Sequence, residues 1–205
     1  ANPERRELLL GQRPPRFDMA YEDRIARTTD DFERVALKAE AACDYFLLVG
    51  PPGTGKTSRA LRRMVEHFYA CPSTQVLLLA YTNRAVDEIC RSLSAILPQV
   101  DYIRVGGELS CDARFRKHLL ENVLAECNNR QEVNIRMADC RIYVGTVASI
   151  ASKPELFKLK HFDVAIVDEA TQILEPQLLG ILCARFKDGR NGIGKFILIG
   201  DHKQL

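Results

Sequence analysis

A glycine-rich segment at residues 50–57 constrains this chain more than any other feature of its sequence. The segment reads GPPGTGKT and matches the pattern G-x-x-x-x-G-K-[ST] at all eight positions. It follows an apolar run at 45–49 and precedes a helical pattern at 56–68, so the expected local structure is strand, tight turn and helix. In that setting backbone N–H groups and the positive end of the helix converge on phosphate oxygens. The predicted triphosphate-binding residues are Gly50, Pro51, Pro52, Gly53, Thr54, Gly55, Lys56 and Thr57.

Two acidic residues at the end of a later apolar run supply the second half of the predicted site. Residues 164–169 read VAIVDE. Adjacent buried carboxylates repel each other, at a cost on the order of several kcal/mol, unless a cation lies beside them. We therefore expect Asp168 to join the Thr57 hydroxyl in holding Mg²⁺, while Lys56 reaches the β- and γ-phosphates. Glu169 is expected to polarise the attacking water as general base, so the pair predicts hydrolysis of ATP.

Short apolar runs with helical segments between them predict the fold class. Non-alternating strands that alternate with helices indicate an α/β domain with a mostly parallel sheet, covered by helices on both faces. The polar turns that follow such strands meet at the carboxyl edge of the sheet, where ligands bind. Helical patterns lie at residues 56–68 and 85–97. The apolar runs are residues 45–49, 76–80, 102–105, 141–144, 164–167 and 196–199.

The last apolar run ends in a polar turn, GDHKQL, at residues 200–205. Because this turn follows a strand of the same sheet, we expect Gln204 to sense the γ-phosphate or the attacking water as a third catalytic residue. The remaining chain divides around the sheet. Residues 1–44 are predicted to form a helical adaptor that packs on the main domain at 45–205, and residues 107–139 to form a helical insertion within it.

Composition excludes several classes of protein. The net charge is only +2, too small to indicate nucleic-acid binding by charge alone. The seven cysteines include no C-x-x-C pair, so neither a zinc site nor a disulfide framework is expected. No apolar run is long enough to cross a membrane and no signal peptide opens the chain. We expect no membrane partner and a cytoplasmic location, or a nuclear one in a eukaryote. The chain begins at Ala1 and stops after a polar turn, which suggests an excised fragment.

Five sequence blocks, taken in order, resemble superfamily-one helicases. The blocks are residues 50–57 (GPPGTGKT), 80–87 (AYTNRAVD), 144–149 (VGTVAS), 168–172 (DEATQ) and 200–205 (GDHKQL). Within that superfamily, the closer likeness is to the branch of RNA-surveillance helicases and flap-processing nuclease-helicases. The resemblance implies the first RecA-like P-loop domain of an ATP-driven motor that walks on single-stranded DNA or RNA, usually in the 5′→3′ direction.

The same resemblance assigns further residues. Thr82, Asn83 and Thr146 would contact phosphates and sugars of the nucleic-acid strand, and small polar side chains at strand ends suit that task. Each turn can also cap the helix that follows it. The family often recognises adenine with a Gln in the helix before the phosphate loop, but residues 32–42 contain none. Glu33 lies near that position, and Gln12 is a candidate to replace the missing Gln.

Two other classes of protein remain open at this stage. The loop sequence also occurs in hexameric AAA+ remodelling ATPases, although 111 residues between Thr57 and Asp168 are more than such cores usually have. A regulatory module that binds nucleotide without hydrolysis is the other alternative, and the intact Lys56, Asp168 and Glu169 count against it. For the helicase, the resemblance implies a second RecA-like domain whose arginines complete the ATP site. Without it, we expect slow hydrolysis.

Overall fold

Parallel β-strands form the centre of the molecule. The computed structural model describes residues 2–51, 53–96 and 99–201, and in this part of the chain the strands form one six-stranded sheet in the order β1-β6-β5-β2-β4-β3. Every neighbouring pair is parallel. The predicted fold class, a mostly parallel sheet flanked by helices, is confirmed. The strands are β1 (Tyr45–Val49), β2 (Val76–Ala80), β3 (Tyr102–Val105), β4 (Ile142–Thr146), β5 (Phe162–Val167) and β6 (Ile193–Gly200).

Each predicted apolar run is a strand, but β5 and β6 begin earlier than the pattern indicates. Two charged residues break the apolar pattern at their amino ends. The Asp163 carboxylate accepts a hydrogen bond from the backbone N–H of Gln75 at 2.7 Å. The Lys195 ammonium donates to backbone carbonyls at the end of a helix, including that of Ala39 at 2.9 Å. Both charges serve the structure at the amino ends of strands, so the apolar run alone misses the first residues of each strand.

Helices cover both faces of the sheet. On one face the buried core joins residues of α3, α4 and α5 to the sheet, and on the other it joins residues of α1, α8, α9 and α10. No helix in the described ranges is long and apolar enough to cross a membrane. The helices are α1 (Pro3–Leu9), α2 (Glu22–Arg27), α3 (Asp31–Ala41), α4 (Arg62–Ala70), α5 (Asn83–Ser94), α6 (Leu120–Ala125), α7 (Arg130–Asp139), α8 (Val147–Ala151), α9 (Glu155–Leu159) and α10 (Glu175–Leu182).

Local sequence explains where these helices start. The Asp30 side chain accepts from the backbone N–H of Glu33 at 2.8 Å and caps α3.

The predicted helix after the phosphate loop opens with a wide π-helical turn at Lys56–Leu61 before α4. In this turn the N–H groups of Arg59 and Ala60 both donate to the carbonyl of Gly55. Such turns are frequent at functional sites. The predicted end of the 85–97 helix, Leu97, lies outside the described residues.

Residues 2–44 are tied to the sheet by buried charges. Arg5 is 4% exposed, and its guanidinium donates to the carbonyls of Ile193 and Gly194 at the start of β6. Short helices α1 and α2, which the sequence pattern did not single out, precede α3. The division into adaptor and main domain stays a prediction.

The segment predicted as an insertion contains two 3₁₀ turns, Glu108–Ser110 and Ala113–His118, followed by α6 and α7. Leu119 pairs with Arg104 on the outer side of β3. At the opposite side of the sheet, β1 is the outer strand, and its Leu47 and Val49 are 54% and 60% exposed. The two outer strands therefore differ: the segment after β3 folds back over its side, whereas β1 presents apolar side chains to solvent.

Candidate active site

The predicted site residues meet in one cleft at the carboxyl edge of the sheet. The cleft has a volume of about 380 Å³ and lies where β1, β5 and β6 end. Because β6 lies between β1 and β5, the phosphate loop and the acidic pair face each other across the end of β6. The lining residues are Gly53, Gly55, Lys56, Thr57, Ser58, Glu88, Asp168, Glu169, Thr171, Gly200 and Asp201.

The phosphate loop has the backbone that its glycines permit. Gly53 and Gly55 have φ of 77° and 82°, in the left-handed region that favours glycine. The hydroxyl of Thr54 donates to the carbonyl of Pro51 at 2.8 Å. The N–H of Gly50 donates to the carbonyl of Gly200 at 3.2 Å, which ties the loop to the end of β6. The loop is therefore held in a turn whose shape depends on left-handed glycines.

Lys56 is the cationic side chain among the described residues that line the cleft. Its ammonium donates to the backbone carbonyls of Gly50 and Pro51, the latter at 2.8 Å, so it lies against the loop. The other ionisable side chains lining this cleft, Glu88, Asp168, Glu169 and Asp201, are all acidic. Among the described lining residues, a triphosphate at this loop would therefore meet Lys56 and four carboxylates, which repel it unless a cation lies between them.

Thr57 and Asp168 form a pair of oxygen donors. The Thr57 hydroxyl donates to the Asp168 carboxylate at 2.5 Å, although the two residues lie far apart in sequence. Asp168 is 3% exposed, and its other oxygen accepts from the N–H of Glu169 at 2.9 Å. Burial raises the pKa of Asp168, and the Thr57 hydrogen bond opposes that shift. A buried carboxylate beside a hydroxyl is a hard-oxygen donor set that fits Mg²⁺ together with phosphate oxygens.

Glu169 has an unusual backbone. Its φ is 54° and its ψ is 32°, and among the described residues it is the one non-glycine residue with a left-handed backbone. Such a conformation costs about 1–3 kcal/mol. Its carboxylate accepts a long hydrogen bond, 3.5 Å, from the hydroxyl of Thr82. Burial, and after it the charge of Asp168, raises the pKa of Glu169. A strained acid with a raised proton affinity suits a general base.

The predicted strand-binding residues lie along the same edge of the sheet. Thr82 is exposed and caps α5 by accepting from the N–H of Ala85 at 3.1 Å, and Asn83 is the first residue of that helix. Thr146 lies one strand further along, because Ala80 pairs with Thr146 between β2 and β4. The structure thus brings both turns to one side of the acidic pair.

Thr146 itself is 6% exposed. Its hydroxyl accepts from the N–H of Ser149 at 3.0 Å and donates to the Ser149 hydroxyl at 2.8 Å, which caps α8. A strand contact by this hydroxyl stays a prediction, as does that of Thr82 and Asn83.

Neither candidate for adenine recognition reaches the cleft. The Glu33 carboxylate is bound to His67 at 3.0 Å and to Arg63 at 3.4 Å. Gln12 precedes Arg13, whose guanidinium binds Asp44 at the amino end of β1. Gln12 is not among the described residues that line the cleft, and its role as a substitute stays a prediction.

Two predicted site residues lie outside the described residues, and two residues of the cleft had no role in the sequence prediction. Pro52 and Gln204 lie outside the described residues, so their predicted roles stay predictions. The structure adds Glu88, one helical turn after Arg84, and Thr171, whose hydroxyl accepts from the N–H of Asp201 at 3.4 Å. Helical spacing from the turn at Thr82 could have found Glu88. Thr171 belongs to the helicase-like block at residues 168–172, but the sequence assigns it no role.

Comparison with known proteins agrees with this geometry. A protein-family profile described as "AAA domain" matches residues 28–141 and 126–205. The chain belongs to this AAA-domain family. The fold is also similar to that of the UvsW helicase from bacteriophage T4, with a TM-score of 0.55 at 11% sequence identity over 90% of this chain and 61% of that one. That likeness confirms the RecA-like fold.

Two curated relatives are named as helicases. The DNA replication ATP-dependent helicase/nuclease DNA2 of Xenopus laevis is 37% identical over 79% of this chain. The putative ATP-dependent RNA helicase ECM32 of Saccharomyces cerevisiae is 28% identical over the whole chain. The chain spans only 14% and 21% of the lengths of these relatives. The resemblance to superfamily-one helicases is confirmed.

Proposed function

We propose that the chain is the ATP-hydrolysing part of a motor that moves along single-stranded nucleic acid. One observation carries the proposal: Lys56, the Thr57–Asp168 pair and Glu169 line a single cleft, although the loop and the acids are distant in sequence. A module that only bound nucleotide would need no general base at Glu169. The turn at Thr82 contacts that same acid.

The chain's own residues account for binding and water activation. The N–H groups of the phosphate loop would bind phosphate oxygens, and the Lys56 ammonium would offset charge at the β- and γ-phosphates. Glu169 would accept the proton of a water aligned on the γ-phosphorus. Thr57 and Asp168 would hold Mg²⁺, which supplies charge neutralisation at the phosphates.

The track is proposed to be single-stranded DNA or RNA, because the name of one relative refers to DNA and that of the other to RNA. The turns at Thr82 and Thr146 lie on neighbouring strands, β2 and β4, beside the acidic pair. Side chains of this kind contact the sugar–phosphate backbone and discriminate little between bases. Strand binding and ATP hydrolysis would thus be adjacent along one edge of the sheet.

A second RecA-like domain is part of the proposal. Arginines supplied from outside a P-loop domain contribute about 10³–10⁵-fold to turnover. The 205-residue chain should accordingly bind ATP but hydrolyse it slowly. A hexameric remodeller would share the phosphate loop, but the named relatives are helicases, which favours the motor.

The test compares ATP affinity and turnover with and without single-stranded DNA or RNA. Lys56→Ala should abolish measurable ATP binding, because it removes the cation from a cleft lined by carboxylates. Lys153→Ala, an exposed lysine in the loop between α8 and α9, is the matched control and should leave affinity unchanged. Equal ATP affinity for wild type and Lys56→Ala would refute the site. Strand-independent affinity and turnover in the full-length protein would refute the motor.

A further inference from the structure

A buried arginine lies within an apolar strand of the sheet. Arg104 belongs to β3, whose four residues are all buried, and it is 1% exposed. Its guanidinium donates to the carboxylate of Asp87 on α5 and, at 3.2 Å, to the backbone carbonyl of Ser110. Arginine is almost never fully buried unless it is paired. The carboxylate of Asp87 therefore explains how this position of the strand holds a cation.

The stability of the fold does not by itself explain this ion pair. Two charges taken out of water lose about as much free energy of hydration as their attraction returns, and apolar side chains of similar volume are often neutral or stabilising in their place. The best-attested use of a buried pair is to fix one element of a structure against another. The elements fixed here are β3, through Arg104, and α5, through Asp87.

The same pair also holds the turns that follow β3. The backbone N–H of Asp112 donates to the Asp87 carboxylate at 3.4 Å, while the Ser110 carbonyl accepts from Arg104. The Asp87 side chain is 19% exposed, so solvent competes little for its oxygens. Three parts of the chain thus meet at Asp87, which restricts rotation and sliding of α5 at this residue.

On either side of Asp87, α5 contacts the two halves of the candidate active site. At its amino end the Thr82 hydroxyl donates to Glu169 at 3.5 Å. Towards its carboxyl end the Ser92 hydroxyl donates to the backbone carbonyl of Thr57 at 3.4 Å. Asp87 lies five residues from Thr82 and five from Ser92, which is about 7.5 Å along the helix axis in each direction. A helix held at its middle tilts about that point, so a displacement of Thr82 also displaces Ser92.

We propose that the Asp87–Arg104 pair carries part of the coupling between strand binding and the ATP site, by fixing the middle of α5 between Thr82 and the Ser92–Thr57 contact. Asp87 and Arg104 are positioning residues, since neither is among the described residues that line the cleft. The inference rests on the proposed function, because it needs a strand at Thr82 and a triphosphate at Lys56. It extends that function by naming the residues through which one ligand alters the affinity for the other.

The experiment measures ATP affinity and turnover of the full-length protein with and without oligo(dT) or oligo(U). In wild type, the better of the two strands should change ATP affinity by about 5–150-fold. The double variant Asp87→Leu/Arg104→Met replaces the pair by apolar side chains, so it should unfold at the same denaturant concentration as wild type or a higher one. The effect of the strand on ATP affinity should nevertheless fall by about threefold or more.

Two further quantities distinguish positioning from a general loss of structure. ATP affinity and turnover without a strand should match wild type, because the phosphate loop and the acidic pair are unchanged. Coupling between two binding sites is reciprocal, so the effect of ATP on strand affinity should fall by the same factor as the effect of the strand on ATP affinity. A merely structural role would lower stability and strand-free turnover together, and that result would overturn the inference.

The double variant Asp101→Leu/Arg136→Met is the matched control. Arg136 on α7 donates to the Asp101 carboxylate at 2.7 and 3.1 Å, just before β3, and within the described ranges neither residue bonds to α5. This variant removes an arginine–aspartate pair of the same chemistry and should leave both affinities and their coupling at the wild-type values. Loss of coupling in this control as well would overturn the assignment to α5.

Arg104→Lys covers the case in which the double variant at α5 does not fold. A lysine keeps the charge opposite Asp87, but its single ammonium does not reproduce the planar guanidinium that bonds Asp87 and Ser110 together. Its coupling should be below that of wild type, while strand-free turnover is retained. Wild-type coupling in every folded variant of the pair would overturn the inference. Absence of any strand effect in the wild-type protein would instead refute the proposed function.

Discussion

Charged side chains at the two ends of the parallel strands have different surroundings. At the amino ends, the Asp44 carboxylate accepts hydrogen bonds from Arg13 and Arg16, which hold its pKa well below the usual range. At the carboxyl ends, Asp168 is equally buried, but a hydroxyl and an amide are its hydrogen-bond partners there, and burial raises its pKa. The surroundings at the amino ends stabilise the charged form of the carboxylate, and those at the carboxyl ends destabilise it.

This difference separates structural charges from functional ones. A carboxylate paired with arginines stabilises the fold when ionised. A buried carboxylate with neutral partners costs stability, and evolution retains such groups where a ligand supplies the missing charge. The amino ends thus fasten residues 2–44 to the sheet, while the carboxyl ends hold the acids of the proposed ATP site.

The largest expected effect is on catalysis at the carboxyl ends. Glu169→Gln should lower ATP turnover in the full-length protein by about 10²–10⁴-fold, because the amide cannot accept the proton of the attacking water. ATP affinity should be retained, since the phosphate loop and the Thr57–Asp168 pair are unchanged. Single-turnover hydrolysis and equilibrium binding measure the two quantities.

Glu88→Gln is the matched control for that substitution. Glu88 also lines the cleft but pairs with Arg91 at 2.8 Å on α5. It should keep turnover within a few-fold of wild type. Comparable loss of turnover in both variants would show that cleft charge, rather than the position of Glu169, sets the rate.

A pair of isosteric substitutions tests the contrast in stability. Asp44→Asn should lower the free energy of unfolding by about 2 kcal/mol, because it removes charge-assisted hydrogen bonds from two arginines. Asp168→Asn should leave it unchanged or raise it by about 1 kcal/mol, because it removes a buried charge. Denaturant unfolding without nucleotide measures both.

Stability measured at acid pH tests the same contrast further. The lowered pKa of Asp44 gives stability that is present above the unfolded value of 3.8 and is lost as pH falls further. Wild type should therefore lose its advantage over Asp44→Asn in acid. Equal destabilisation by both asparagine variants at neutral pH would contradict the distinction between the two ends.

The smallest expected effect concerns His67, which joins α4 to α3. Its ring nitrogens lie 3.0 Å from Glu33 and 3.1 Å from Glu40, and the Glu40 hydrogen bond leads the contacts that raise the pKa of His67. The stabilisation is fully present below the unfolded pKa of 6.5 and is lost as pH rises through the folded pKa. His67→Gln should cost about 0.5–1 kcal/mol in mild acid and less in alkali.

His118 is the control, with the opposite sign. Burial lowers the pKa of His118, which stacks on Tyr102 with ring centroids 3.9 Å apart. Stability from this residue should fall as pH drops below 6.5. Unfolding measured across pH for both glutamine variants distinguishes them. Parallel pH profiles would show that the contacts of His67 do not determine its effect.

Much of the fold follows from local sequence. Apolar runs without alternation marked the strands, and the glycines of the phosphate loop fixed the turn between β1 and the helix that follows. The order of the strands in the sheet could not be predicted from the sequence, because the position of β6 between β1 and β5 depends on how distant segments pack. The early starts of β5 and β6 were missed because Asp163 and Lys195 have structural partners that lie far away in sequence.

The residues of the candidate site could be predicted from the sequence where a motif is expected to bind a single ligand. Lys56, Thr57, Asp168 and Glu169 are expected to bind one triphosphate, so their residue types predict that they lie close together. The contact between Thr82 and Glu169 depends on the register of β2 and β5, and the left-handed backbone of Glu169 lies in the turn that follows β5. Neither leaves a pattern in the sequence, because neither depends on neighbouring residues alone.

The exposed outer strand β1 has a consequence for the chain in solution. Asp44 and Gly50 bond to β6, so alternation along the strand turns the amide groups of Tyr45, Leu47 and Val49 outward. An outer strand with unpaired amide groups and exposed aliphatic side chains can form hydrogen bonds with an extended segment of another chain. Val49 immediately precedes the phosphate loop, so the open edge of β1 ends directly beside the ligand-binding turn.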